Sequence, residues 1–594
     1  MKDLAGGIPG VLARAAAGRV DVPALRARAT PACQATTYGR LVHEIDLFAR
    51  GLLASGIRPG DRVLLLADNS PRWLVADLGI QRAGAISVPR AADTTPGELT
   101  HILTDCAASG AVLGDAGLRG RLPAVGEGLR LPVALSGGGD GVCSFEVLLD
   151  RGASETPLPP PAPTATIVYT SGTTGTPKGV MLSPENILHN VRVLPPLIGL
   201  RPGDRFLAVL PLWHMFERTV EYTVLSTGGT LTYGTLRTLR EDLRAESPDY
   251  VAAVPRLWEG VAAAFRREVE RRGPVARFLL RRLLSFTEGR RTISGSLVPD
   301  RPGGAGFARR LARLVLDAPF ALPARLLFGK RIRRATGGRI RAGISGGGLL
   351  PLDTDLLFDA LGLRLIVGYG LTETAPVAAL RSPRRNVLGT IGRAIPETEV
   401  RIADGADRPL PPGVAGEIHV RGPQVMTGYY GNSEATARVL AAGGWFRTGD
   451  LGSVTPAGDI VFRGRAKETI VLSGGENVEP GPIEARILLS PFVRQALVVG
   501  QDRKQLCALL LPEVDRAGAE ARARGVSVEA LLRSEVARLV SAEAGFLPRE
   551  RVARVAVLDR DFTVDDGTLT PTLKVRRNVV LELYRDRIEE LYRR

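Results

Sequence analysis

Cysteine, histidine and tryptophan are scarce in this 594-residue sequence, at four, five and four residues. The cysteines, Cys33, Cys106, Cys143 and Cys507, are far apart and none belongs to a CxxC pair. That argues against a disulfide framework or a thiolate zinc site and suits a reducing compartment. No run of 18 or more apolar residues is free of charge, so no membrane-spanning helix is expected. The N-terminal MKDLAGGIPGVLARAAAGRV lacks the continuous apolar stretch of a secretory signal. No repeat recurs at solenoid spacing. These absences lead to the expectation of a cytoplasmic protein.

What is present is globular. Hydrophobic residues make up 44% and charged residues 24%, a balance that buries a sizeable core, and the length allows several domains of about 150 residues each. Lys and Arg number 78 against 62 Asp and Glu, giving a formal charge of +16. Such a balance suits phosphate-rich ligands, nucleic acid or an anionic membrane surface, and it equally fits an Arg- and Ala-rich coding bias.

Residues 270–342 concentrate the basic character. ARFLLRRLLSF, ARRLARLVL and PARLLFGKRIRR interleave arginine with Leu, Val and Phe at helical spacing. Two readings stand: amphipathic helices with a solvated basic face, or a surface resting on anionic lipid headgroups at the inner face of a membrane. Nucleic acid is a poor fit, because the stretch has few aromatic residues for stacking, and no nucleic-acid partner is expected.

Short apolar runs alternate with amphipathic stretches, as in RVLLLA (62–67) followed by SPRWLVADLGIQRAG (70–84). This alternation predicts an α/β fold. From about residue 465 the pattern becomes a smaller unit: ALVVGQDRKQLCALLLPE (496–513) reads as a hairpin, and helical patterns follow over about 515–543.

The densest cluster of polar punctuation is YTSGTTGTPKGV (169–180). TATIVY before it and VML after it are strand-like, so TSGTTGTPKG is predicted as a loop between strands. SPENILHNVRVL then reads as a helix with Ser183 as N-cap and Pro184 at its first position. A loop offering backbone N–H groups, hydroxyls and one ammonium makes a cradle for a polyphosphate. It is not a Walker A loop, because Pro177 and Gly179 flank the lysine where that pattern requires Gly and Ser or Thr.

The whole string resembles the phosphate-loop signature of the adenylate-forming superfamily, which includes acyl-CoA synthetases, peptide-synthetase adenylation domains and luciferases. Further motifs follow in the superfamily's order: ISGGGLLP (344–351), YGLTETAP (369–376), GEIHVRGPQVMTGYY (416–430), GWFRTGDLG from Gly444, GDIVFRGRAKETIVLSGGENVEP (458–480) and LTPTLKVRR (569–577). PLWHMFER (211–218), VPRLWEG (254–260) and the ending LTPTLKVRRN resemble the long-chain acyl-CoA synthetase branch. Pro184 stands where a histidine is frequent, and Glu397 where glycine is frequent.

The resemblance implies a large N-terminal domain (1–464) of layered α/β sheets with a small distorted barrel, and a small mobile α+β C-terminal domain (465–594). It implies ATP-dependent conversion of a long-chain fatty acid to an acyl adenylate, then transfer to the thiol of CoA or, alternatively, of an acyl carrier protein. Thr170, Ser171, Gly172, Thr173, Thr174, Gly175 and Lys178 would cradle the phosphates. Glu373, with Thr170, would hold Mg²⁺. Gly346, Gly347, Gly370 and Thr372 would border the adenine, on which Tyr369 would stack. Asp450 would take the ribose hydroxyls beside Arg465. Lys574 would bridge carboxylate and α-phosphate, and Lys467 would be the hinge about which the small domain turns. Gly474 and Gly475 would then approach the pantetheine arm. His214 and Phe216 would line the passage between acyl pocket and thiol channel.

Overall fold

The computed structural model describes residues 6–27, 35–123, 129–139, 141–154, 156–170, 177–298, 307–474, 476–563, 566–570 and 575–593. Among these residues the α/β layering takes the form of two large sheets, a smaller antiparallel sheet, and a separate C-terminal unit.

The first large sheet runs in spatial order 428–429, 178–182, 166–170, 86–90, 62–66, 110–113, 130–134 and 143–144. Its centre is parallel and nearly continuous in Val, Leu and Ile. The strand Arg62–Leu66 is buried from its second residue onward, as expected of a strand covered on both faces. The second runs 393–394, 377–380, 365–370, 342–345, 250–253, 205–208, 230–233, 23–27 and 36–37. An antiparallel set, 399–403, 416–421, 445–454 and 440–441 with 460–465 paired to 445–454, is the counterpart of the expected barrel.

The helix Met215–Thr227 joins the two large sheets through buried polar contacts. Arg218, fully buried, ion-pairs with the equally buried Asp77. Its Nε donates to Asp77 Oδ2 at 3.0 Å, and a terminal nitrogen donates to Thr166 Oγ1 at 2.9 Å. Ser87 Oγ donates to Asp77 Oδ1 at 2.7 Å. Removing one partner of such a pair would leave a buried charge uncompensated, at about 3–5 kcal/mol. The pair therefore fixes the register between this helix and the strand Thr166–Thr170, whose end enters the site described below.

Local predictions are met where the sequence carries strong signals. Ser183 caps the helix Pro184–Ile198 in a reciprocal box with Asn186, and Pro184 is its first residue. The hairpin expected over 496–513 is the antiparallel pair Val493–Val499 and Leu506–Pro512, and Val514–Arg524 and Val528–Leu539 are the helices after it. Two boundaries differ: the strand before the glycine-rich loop runs on to Thr170 and the one after it starts at Lys178, because the two residues pair directly across the ladder. Glu397 adopts φ 60°, the left-handed conformation that glycine reaches without a Cβ penalty, and Arg192 donates to its carboxylate at 2.7 Å.

The strand Ile460–Arg465 still belongs to the antiparallel sheet, so Arg465 is its last residue. From Ile470 the chain builds a new unit, with a short pair 470–471 and 477–478, a three-stranded sheet 493–499, 506–512 and 552–557, and its own apolar clusters. In the basic stretch, Pro274–Ile293 and Phe307–Ala335 are long helices packed side by side. No helix among the described residues is long and apolar enough to cross a membrane.

Candidate active site

Polar side chains gather where strands of the two large sheets end. In an open α/β sheet the carboxyl ends of the strands, with the loops that leave them, are where ligands bind. Thr170 closes the strand 166–170, Arg90 closes the parallel neighbour 86–90, and Gly370 closes 365–370. All three line one cleft of ≈ 3150 Å³ between the large body and the C-terminal unit. That volume exceeds an ordinary small-molecule pocket several-fold and suits more than one substrate at once.

Thr170 and Lys178 sit opposite each other at the mouth of the strand pair. The Lys178 ammonium lies over the Tyr429 ring, 5.2 Å from its centroid. Tyr429 is held there because 428–429 adds a further strand beside 178–182, with Tyr429 opposite Val180 and Tyr430 N donating to Gly179 O at 2.7 Å. The Tyr429 hydroxyl donates to Glu373 Oε1 at 2.9 Å. Glu373 lies in the tight turn Thr372–Thr374, and its carbonyl accepts from Met426 N at 2.8 Å. Lysine, tyrosine and glutamate thus form one chain built from three remote segments.

A second constellation surrounds Asp450. This aspartate is 2% exposed, yet it accepts from the Tyr369 hydroxyl at 2.8 Å and faces Arg465 Nε at 3.1 Å from the other oxygen. Asp450 and Arg465 are register partners in adjacent strands, so the ion pair is set by the ladder. Burial and the adjacent carboxylate raise the Tyr369 phenol well above its usual range, which keeps it a donor. For Arg465, burial opposes the charge, but Asp450 and its neighbours outweigh it and hold the guanidinium above its ordinary value.

Glycine is required at two positions by close approach. A Cβ at Gly346 would meet the Phe216 ring at 2.9 Å, and one at Gly370 would fall 1.7 Å from the carbonyl of Pro376. His214 is the N-cap of the helix Met215–Thr227, where its Nδ1 accepts from Phe216 N at 3.2 Å. The ring is half-buried on the cleft wall and so has a structural task besides any at the passage.

The structure brings together Thr170, Lys178 and His214, the glycines 346, 347 and 370, and Tyr369 with Thr372 and Glu373. Asp450, Arg465 and Lys467 complete the wall on the other side. Gly474 is exposed and outside this lining. Ser171, Gly172, Thr173, Thr174, Gly175, Gly475 and Lys574 lie outside the described residues. Val575, Arg576 and Arg577, which follow Lys574 in sequence, line the cleft.

Two residues escaped the sequence reading. Tyr429 stands in the quoted GYY but gives no local sign of its two partners. Arg90 is 9% exposed, donates to Tyr169 O at 2.8 Å, and ion-pairs with Glu98. Burial, partly offset by Asp93 and reinforced by Arg576, lowers it to about 10. An arginine ending an apolar strand (ISVPR, 86–90) was the available signal.

A magnesium ion fits this donor set. Glu373 is a carboxylate with one oxygen committed to Tyr429, facing the same cleft as Thr170 and Lys178. Among the described residues no group of three or more His, Cys, Asp or Glu could hold a metal alone. Magnesium commonly takes one or two carboxylates and completes its shell with phosphate oxygens and water.

Comparison with known proteins gives a consistent result. The family model described as AMP-binding enzyme matches residues 12–430, and that of the AMP-binding enzyme C-terminal domain matches 467–594. The chain is 36% identical to a probable acyl-activating enzyme 16 of Arabidopsis thaliana, covering 94% of this chain and 85% of that protein. It is 35% identical to the long-chain-fatty-acid–[acyl-carrier-protein] ligase AEE15 of the same plant (94% and 82%). A long-chain-fatty-acid–CoA ligase, FadD15 of Mycobacterium bovis, is 32% identical (94% and 92%). Among solved structures, the anthranilate CoA ligase AuaEII with anthranoyl-AMP superposes with TM-score 0.74 at 20% identity, over 99% of each chain.

Proposed function

The chain belongs to the AMP-binding enzyme family, and from that premise we propose that it is an acid–thiol ligase that activates a long-chain fatty acid through an acyl adenylate and passes the acyl group to CoA. A free carboxylate is a poor acyl donor because oxide is a poor leaving group. Attack of a carboxylate oxygen on the α-phosphorus of ATP breaks the bond to the β-phosphate and releases diphosphate. A thiolate then attacks the acyl carbon and AMP leaves.

The first step sets an anion against a polyanion, so the site has to supply positive charge and alignment more than proton transfer. In this reading Lys178 and Thr170, with residues 171–175, hold the β- and γ-phosphates. Glu373 holds Mg²⁺, which when bound offsets phosphate charge. Asp450 accepts from the ribose hydroxyls, kept in place by Tyr369 and Arg465. Arg90, at the end of the strand beside Thr170, and Arg576, from the C-terminal unit, add charge to the cleft, and Lys574 bridges carboxylate and α-phosphate. Lys467, two residues beyond the last strand of the large body, is the hinge. His214 and Phe216 border the acyl passage.

The observation that carries the reading is the convergence in one cleft of Lys178, Glu373 and Asp450, each buttressed by a tyrosine drawn from elsewhere in the chain. A second acceptor, an acyl carrier protein, is favoured by the 35% identity to a carrier-protein ligase. A panel of C4–C20 fatty acids with ATP and Mg²⁺, run with CoA, with holo carrier protein and with neither, separates the two. Acyl-CoA that peaks at long chains supports the CoA reading. Adenylate that turns over only with carrier protein replaces it.

A further inference from the structure

Twenty-two large hydrophobic residues are conspicuously exposed among the described residues, and ten of them fall between Val275 and Leu327, on the two helices of the basic stretch. In the helix Phe307–Ala335, Ala321, Ala324 and Phe328 face inward. Leu311, Val315, Leu322 and Leu326 share about 60° of arc at 100° per residue, and Leu316 and Leu327 extend the same outer side. These six are 45–69% exposed, so the outer half of the helix is an apolar strip over about 25 Å.

Charge frames the strip. Arg313 lies at one end and Lys330, Arg333 and Arg334 at the other, all exposed. The helix has one acid, Asp317, which is 1% exposed and accepts from Arg282 at 2.8 Å, so it is turned away from the strip. Beside it Phe278 and Phe320 meet edge to face at 5.2 Å under the guanidinium of Arg282, and both rings stay about two-fifths exposed. Over residues 274–335 there are fourteen Lys or Arg and three Asp or Glu.

We infer that this helix pair is a docking surface for an anionic lipid bilayer, lying parallel to it with the strip from Leu311 to Leu327 sunk among the acyl chains. An apolar face with a cationic border is the signature of a helix lying in the interface plane. A second copy of the chain is a poorer occupant, because both ends of the strip are basic and either apposition would set like charges together.

The test is co-sedimentation of the full chain, without substrates, with vesicles of phosphatidylcholine alone or with about 30 mol % phosphatidylglycerol. Wild type should bind the anionic vesicles, with binding weakened as salt rises from about 0.05 to 0.5 M. V315S/L322S/L326S should lose roughly tenfold or more in partitioning while keeping its circular dichroism and its turnover of a short soluble acid. R313Q/K330Q/R333Q/R334Q should lose the preference for anionic lipid. Absence of wild-type binding, or apolar variants that bind as wild type, would overturn the inference. So would a wild-type dimer in sedimentation velocity that the apolar substitutions dissociate without changing vesicle binding.

Discussion

The hydroxyl of Tyr429 donates to Glu373 Oε1 at 2.9 Å while its ring carries the Lys178 ammonium 5.2 Å from the centroid. One side chain thereby orients a carboxylate and a cation that come from segments about 195 residues apart. The phenol is pushed well above its usual range, first by burial and then by Glu373, so it remains a donor at any working pH. Tyr429→Phe keeps the ring under Lys178 and removes only the bond to Glu373. Apparent Mg²⁺ affinity, followed by diphosphate release, should fall roughly tenfold, as for loss of a hydrogen bond to a charged group. At saturating Mg²⁺ the KM for ATP should stay near wild type. Tyr429→Leu should lose both.

Asp450→Asn preserves shape and removes the charge facing Arg465 and the hydroxyl of Tyr369. The KM for ATP should rise about tenfold or more, with the KM for fatty acid little changed. If both constants rose together, Asp450 would be supporting the whole cleft and not the nucleotide.

Gly346→Ala places a methyl group 2.9 Å from Phe216 Cζ, so the ring has to move. The KM for fatty acid should increase several-fold while that for ATP holds. Phe216→Leu in the same background should restore much of the loss, because it removes the colliding ring. Steady-state kinetics on the single and double variants decide it.

Glu217 and Glu221 are fully buried on one helix. Burial, then each other's neighbourhood for Glu217, raises both well above the ordinary carboxylate range. Tyr233 donates to Glu221 at 2.8 Å. A raised folded value means that the unfolded chain releases the proton first. This contribution is complete below the unfolded value and is lost as pH rises toward the folded one. Glu221→Gln keeps an acceptor for Tyr233 and removes the linkage. Its stability relative to wild type should climb with pH from about 5 upward, by up to about 1.4 kcal/mol per unit. Denaturant melts at several pH values test this; a constant offset would refute it.

Lys574→Ala should abolish adenylate formation but leave thioester formation from supplied acyl adenylate largely intact. Lys467→Pro should impair thioester formation more than adenylation. Half-reaction assays with synthetic adenylate separate these, and equal loss of both steps in either variant would remove its assigned role.

Local chemistry was legible wherever one segment carried its own signal. The cap at Ser183, a strand just before the glycine-rich loop and a hairpin within 496–513 rest on neighbours in sequence. The order of strands in the two large sheets was not, because adjacent strands such as 23–27 and 230–233 are about 200 residues apart. Tyr429 was missed for the same reason: Lys178 and Glu373 reach it only through an added edge strand, as the Tyr169 carbonyl reaches Arg90 only through the parallel pairing of 86–90 with 166–170. The outer face of 307–335 was half legible. Helical spacing announced a basic amphipathic segment, but the turn of Asp317 and the alanines inward, which leaves the leucines outside, is a tertiary outcome.

The proposed chemistry begins with attack of a carboxylate oxygen on the α-phosphorus. It is tested most directly by turnover of a fatty acid labelled with ¹⁸O in its carboxylate, with mass spectrometry of every phosphorus product. The expected products are AMP carrying one ¹⁸O and unlabelled diphosphate. Label in orthophosphate, with ADP as the nucleotide product, would contradict it.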